Sequence, residues 1–493
     1  MPISDQEFKD WLNEDSVIRC ILIEAKYYDK TLAIEKTEYF SYQPYEKGSV
    51  IYDDCVKEIP SFNTSLDVPE PQNNNMNISA SQSFGDIDLT NENGVRDLWL
   101  NHAWDGRDIV LKIGDPIWDE ADFRVILNGV INDISAPDQN TIKLQIRGVD
   151  HLLDIQLQDT LLTTEKAKDK PVPICLGQVF NIEPVLIDAA THRYKVHEGQ
   201  INDITDVRVN GLTVAGFTKD LVNGEFTLTV TPQGTITCDV QGAIYNAAYI
   251  TKASDFVKYL IDLHSTINVV TGINTASFSQ LDLDAPYQTG VYFDSRENLS
   301  NAINQILTSS GAFKVFDRDG LLSVYQFKTG GTPTLSILPD DVLEGKLSLD
   351  DRNTPVEEIR VGYQRNYHIQ KDGLAASITE SNRQLYGLDF QVEKDSDPTV
   401  SVAHLLAKKP NMIESDLVLS ADALTESTRL LSLHKEIRFK YKLDGYVIPF
   451  QLVLGDTVTV FSDRYGLENG VDMVVIGIDE SYTSKRVELT LWN

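Results

Sequence analysis

Eight histidines are the first residues to test for chemistry: His102, His151, His192, His197, His264, His368, His404 and His434. They are scattered, and none lies in an H-E-x-x-H or H-x-H arrangement, so a zinc hydrolase has no basis in spacing. A serine hydrolase needs its nucleophile beside a base. No G-x-S-x-G elbow is present to supply one. A glycosidase needs two carboxylates across a cleft. With 74 acidic residues some pair always qualifies, and Glu24, Glu38 or Glu183 serve equally well, so that signal is empty. Asp317-Arg318-Asp319-Gly320 opens like a calcium loop, but position twelve is Lys328 where an acid is required. We read it as a β-turn, which Asp and Gly favour. Asp86, Asp88, Asn91 and Asn93 form an oxygen-rich run, read as a strand end and turn.

Cys20, Cys55, Cys175 and Cys238 have long, irregular gaps and no C-x-x-C, which argues against a zinc or iron–sulfur site. Neither a P-loop nor G-x-G-x-x-G occurs, and no basic stripe is interleaved with aromatics. Tyrosines fall mostly at alternating strand positions, where sheet packing accounts for them; a sugar-stacking platform is the other reading. No catalytic, cofactor-binding or metal-ligating residue is therefore assigned, no cofactor is expected, and the chain is read as not an enzyme.

The net charge is −31, from 74 acidic and 43 basic residues. Such a surface repels DNA and anionic membranes. It serves either solubility alone or a negatively charged passage through which DNA slides. Residues 1–19 are acidic and amphipathic, unlike a signal peptide. No run approaches eighteen apolar residues, so no membrane span is expected. The expected place of synthesis is the cytoplasm, with reduced cysteines.

The elements follow from periodicity. Ser4 with Glu7 predicts a capped helix over 5–13. Strands are expected over 17–28, 78–89, 109–113, 123–133 and 141–147, with a short helix over 95–102. Residues 163–173 read as a linker, and 174–242 as almost all β, with hairpin turns at Asn210-Gly211 and Asn223-Gly224. Helices are expected over 253–264, capped by Ser254 or nearby, and over 298–308. A hairpin over 313–327, a strand pair over 347–363 and helices over 400–406 and 421–439 come next. The last segment, 446–493, reads as strand, strand, turn, strand, strand, with Val487, Leu489 and Leu491 alternating against polar neighbours. No repeat of fixed period is visible. The fold class is mainly β with α+β parts, and the length fits about three or four domains. The expected units are 1–162, 163–245, 246–345 and 346–493, with two tube-like β-barrel domains, an inserted small β-domain and an α+β domain between.

Several segments in order carry a family resemblance: Ser83-Phe-Gly-Asp-Ile-Asp-Leu-Thr-Asn91, Trp104-Asp-Gly-Arg107, Cys175-Leu-Gly-Gln-Val-Phe-Asn181, Val361-Gly-Tyr-Gln-Arg-Asn-Tyr367, Leu454-Gly-Asp-Thr-Val458 and Arg464-Tyr-Gly466. Together they resemble the central tail hub, or baseplate hub, of long non-contractile bacteriophage tails and related prophages. The resemblance implies a homotrimer whose two tube-like domains per subunit make a pseudo-sixfold ring at the tail tip of a virion. It implies as partners a distal tail protein, the tape-measure protein, tail fibre or tip proteins, and phage DNA passing through the lumen without specific binding. A tail-associated wall-degrading enzyme, or a carbohydrate-binding module over 174–245, is the alternative. The chain ends directly after its last β-module, so receptor binding is expected to belong to other proteins.

Overall fold

The computed structural model describes residues 3–493 apart from 15, 48, 76, 447–451 and 482–485. Alternating apolar residues bring the N-terminal third into one antiparallel sheet. Its strands are β1 (Cys20–Asp29), β2 (Ile34–Tyr42), β3 (Val56–Glu58), β6 (Asp86–Thr90), β7 (Asp108–Gly114), β8 (Arg124–Asp138) and β9 (Thr141–Arg147), in the order β2-β1-β7-β8-β9-β6-β3. Every second side chain turns inward, as Ile109, Leu111 and Ile113 do on β7 and Ile142, Leu144 and Ile146 on β9. A bridge between Phe40 and Asp53 sets β2 against the approach to β3, which closes the sheet into a barrel. Helix α1 (Asp5–Asn13) carries the expected Ser4–Glu7 capping box and buries Phe8, Trp11 and Leu12 in the barrel's core.

Two further strands, β4 (Phe62–Asp67) and β5 (Ser79–Phe84), leave this barrel as a hairpin. The next region forms a sheet built on Ile174–Ile182, Ile201–Val209 and Ile236–Tyr245, with Gly290–Phe293, from beyond residue 245, on the edge beside Ile174–Gly177. Asn210 and Gly211 both have positive φ, 52° and 82°, as the expected Asn-Gly hairpin turn requires. Helices α2 (Ala253–His264), α3 (Thr275–Asp284) and α4 (Leu299–Thr308) follow, then the hairpin β10 (Ala312–Phe316) and β11 (Leu322–Gln326). Ser254 is not the cap of α2. It lies buried in the first turn, and its hydroxyl donates to Asp282 on α3.

The C-terminal sheet contains β12 (Leu335–Ile337), β13 (Val342–Arg352), β16 (Phe439–Tyr446), β17 (Thr457–Val460), β18 (Val471–Ser481) and β19 (Arg486–Trp492), in the order β12-β17-β18-β19-β16-β13. Between β13 and β16 come the paired strands β14 (Glu358–Tyr363) and β15 (Gln391–Ser396) with helices α5 (Glu380–Gly387), α6 (Thr399–Ala403) and α7 (Ser420–His434). Two helices are shorter than periodicity suggests. The one expected over 400–406 stops at Ala403, and α7 stops at His434 because Phe439 already belongs to β16. The segment expected as a helix over 95–102 is a tight 3-10 turn, Asp97–Asn101. Of the segment expected as strands over 446–493, residues 447–451 and 482–485 lie outside the described residues.

The β10–β11 hairpin is used inside the chain. Its turn closes through the Gly320 N–H to the Asp317 carbonyl, 3.0 Å, with Gly320 at φ 77°. At the tip, the Arg318 guanidinium forks onto both oxygens of Glu480 on β18, one contact being 2.7 Å. The Arg318 carbonyl accepts the backbone N–H of Asn128 on β8 at 3.0 Å. One turn thus spans the barrel and the C-terminal sheet. Glu480 is only 3% exposed, so losing the guanidinium takes a strong, bidentate partner from a buried carboxylate. Arg318→Ala is expected to lower stability by about 3 kcal/mol, read as a fall in the urea midpoint with unchanged slope.

Candidate functional site

The most informative geometry is a duplication. Take the barrel strands β1, β3, β6, β7, β8 and β9, and the C-terminal strands β12, β13, β16, β17, β18 and β19, each set in chain order. In space both sets run first, fourth, fifth, sixth, third, second. All shared pairings are antiparallel except β12–β17, which is parallel.

The register matches as well as the order. Each fifth strand carries a bulge: β8 between Ile131 and Asp133, opposite Ile146 and Gln145, and β18 between Val475 and Gly477, opposite Leu491 and Thr490. The Gly106 N–H donates to the Ile131 carbonyl at 2.8 Å, and Gly455 donates to Val475 at 2.9 Å. Ile131 returns a bond to the Arg107 carbonyl, and Val475 one to Asp456, both 2.8 Å. Gly106 and Gly455 have φ of 71° and 90°, a left-handed entry that glycine makes without steric cost. Ile109 matches Val458, and Leu111 matches Val460; all four are buried.

Each bulge bends its strand away from the fourth strand and leaves an edge of unpaired backbone groups. On β18 the chain fills that edge itself. Hairpin strand β4 pairs there, with Ser65 opposite Gly477, Thr64 opposite Ile478 and Asn63 opposite Asp479. The matching edge of β8, residues 133–136, has no strand partner on that side among the described residues. Asp133 and Ala136 are exposed, and the Ile134 N–H turns to the Asp133 carboxylate at 2.8 Å. Pro137 ends the available edge.

The charged residues weighed in the sequence are mostly tied locally. Glu24 accepts from Tyr52 at 3.1 Å and pairs with Lys112. Glu38 accepts from Tyr27 at 3.0 Å, and Glu183 faces His368 at 3.3 Å. Asp86 and Asp88 share Lys143, and the Asn91 side chain accepts the Arg96 N–H. No group of three metal-ligating side chains converges among the described residues. Spacing alone did not reveal two other arrangements. In one, the buried His197 ring accepts the Cys175 N–H at 3.0 Å and meets the Tyr259 hydroxyl at 3.1 Å. Glu198 joins Tyr259 to His264. In the other, a cleft of about 480 Å³ is lined by Asn301, Asn304, Gln305, Arg365, Phe390 and Asp416. Burial pushes the Asp416 carboxyl up to about 6, against hydrogen bonds from Gln305.

No protein-family model matches this chain, and no curated protein sequence matches it. It is similar to solved structures of tail proteins. One is the tail protein from Neisseria meningitidis MC58, 10% identical, TM-score 0.42, covering 96% of each chain. Another is the prophage MuSo2 43 kDa tail protein from Shewanella oneidensis, 12% identical, TM-score 0.41, covering 96% of this chain and 98% of that one. A third is prophage tail protein gp18 from Listeria monocytogenes EGD-e, 10% identical, TM-score 0.42, covering 96% and 94%.

Buried histidines give the fold a pH limit. Burial lowers His197 to about 4, and burial with Arg429 and Arg438 nearby lowers His434 to about 3. Both are neutral when folded and take protons once unfolded, so stability present above pH ~6.5 is lost as pH falls. Asp416, raised by burial, acts in the opposite sense and offsets part of the loss. Between pH ~6.5 and ~4.5 the net loss is expected to be about 2 to 3 kcal/mol, measured as a falling urea midpoint. A midpoint that rises over this interval would contradict the placement of both histidines.

Proposed function

We propose that this chain is the central hub of a phage tail tip, and that three copies close into a ring. The duplication carries the reading. Each chain presents the same six-stranded motif twice, linked by the β4–β18 pairing and the tip of the β10–β11 hairpin, so three chains offer six similar positions around an axis. A threefold assembly built this way can meet a sixfold tail ring. Closed cyclic symmetry also gives every copy the same contacts and leaves none open to further growth.

In this reading the partners are a distal tail protein above, the tape-measure protein within, and fibre or tip proteins below. DNA passes through without being bound. The charge of −31 supports that role, since acidic side chains around a channel repel phosphate. The protein would be made in the host cytoplasm and carried in the virion. No catalysis is assigned to it. The 174–245 segment is read as part of the scaffold: Asn181 binds Asn366 at 2.9 Å, and Arg208 and Tyr386 stack across the same seam.

Light scattering on the purified chain is expected to give three times the monomer mass, and a monomer at all concentrations would sink the reading. Electron cryomicroscopy of the ring is expected to find a channel lined mainly by Asp and Glu. A channel dominated by Lys and Arg would refute the passage role and leave the ring intact.

A further inference from the structure

Among the open strand edges of the described residues, two occupy matching roles. One is 133–136 on β8, the counterpart of the β18 edge that β4 covers. The other is the outer edge of β15, which pairs only with β14 among the described residues. The connectivity relates them. Strands β4 and β5 form the antiparallel pair between the second and third strands of the barrel. Strands β14 and β15 form the antiparallel pair between the second and third strands of the C-terminal sheet. Within one chain, the pair from the barrel reaches the bulged strand of the sheet. We propose that the pair from the sheet reaches the bulged strand of the barrel in a second copy, with β15 adding to β8 at 133–136.

This rests on the ring reading and names the contact that would close it. Around a ring of six similar modules, the junction between chains should repeat the junction within a chain. The inner side of β15 cannot serve, since β14 occupies it. The far side of β14 is also taken, by Ile413 opposite Val361. Only the β15 outer edge is left, and it alternates between half-buried and exposed residues, with Val392 47% exposed. That is the pattern of a strand with one covered face, which α7 supplies. Strand addition gains main-chain hydrogen bonds along a short edge. The four residues available on β8 match the four-residue pairing of β4 with β18.

Exposed apolar side chains lie on the turn that carries the chain from β15 round to the far side of β14, where Lys408 bridges Val356. Just after β15, Val402, Leu405 and Leu406 are 81%, 90% and 82% exposed. Three such side chains within five residues are a poor surface for a free subunit and a good one for an interface.

Cysteine pairing tests this. The four native cysteines are buried, at most 4% exposed, so an added pair reports alone. Asp133→Cys combined with Lys394→Cys, treated with a short thiol crosslinker, is expected to give covalent dimers and trimers, and each single variant none. Leu405→Asp with Leu406→Asp changes only exposed positions. It is expected to weaken trimer formation by about tenfold or more while leaving circular dichroism unchanged. A trimer that forms no crosslink in the double-cysteine variant and tolerates both aspartates overturns this contact and leaves the ring reading standing. A wild-type chain that stays monomeric overturns both.

Discussion

The architecture depends on a bulge in each fifth strand. An extra residue at Asn132 and at Ile476 turns each strand out of its ladder and frees backbone donors and acceptors. Such groups must find partners or face water. The chain answers the second bulge by laying β4, backed by β5, against the distant strand β18. That long-range pairing, more than any cluster of side chains, sets the barrel and the sheet in one arrangement. The Arg318–Glu480 pair then acts as a lock on it, because its neighbours on both sides belong to the two bulged strands.

The buried polar groups have a similar logic. A buried charge is tolerated only when it is paired and hydrogen-bonded. Arg208 meets Asp206 and Asp239 and lies over Tyr386, so it joins the sheet of Ile174–Ile182, Ile201–Val209 and Ile236–Tyr245 to the α5 region. Arg429 meets Glu426 and donates to the Phe327 carbonyl at 2.7 Å, which joins α7 to the β11 hairpin. Each pair sits at a seam between units. They specify which surfaces meet, whereas the apolar cores would tolerate several alignments. The cleft beside Asp416 lies at another seam, between α4 and the segment after β15. Its amides and carboxylate fit a packing boundary as readily as a ligand site.

Much of the fold was legible because local signals and tertiary packing agree. The Ser4–Glu7 box, the Asn210-Gly211 turn and the alternation on β7, β9 and β19 are each decided within a few residues. Helix α3 was not legible. Of its residues only Ser277, Phe278 and Leu281 are buried, too narrow a stripe to read as an amphipathic face. Ser254 had the right type for a cap, but its hydroxyl found Asp282, 28 positions away and invisible to a local rule. The hairpin over 313–327 was legible as a hairpin, but its destination was not. Where Arg318 lands depends on Asn128 and Glu480, both fixed by pairings distant in sequence.

The duplication escaped a search for fixed period for a physical reason. A repeat is visible at constant spacing only when each unit buries its face against the next, as in solenoids. Here the two motifs have separate cores, and selection on register acts through hydrogen bonds, not side-chain identity. Ile109 can match Val458, and Asp108 can match Thr457, while backbone pairing stays the same. The insert between second and third strands differs too, a simple hairpin in one copy and residues 353–438 in the other. That asymmetry has a consequence for assembly. The short insert reaches only the sheet in its own chain, whereas the long one carries its strand pair, helices and exposed leucines outward. A chain with two short inserts could satisfy one bulge and strand the other. A chain with two long ones could pair with itself or a neighbour without preference. With one of each, the bulge of β18 is paired within the chain, and in the proposed ring the bulge of β8 is left for a neighbour.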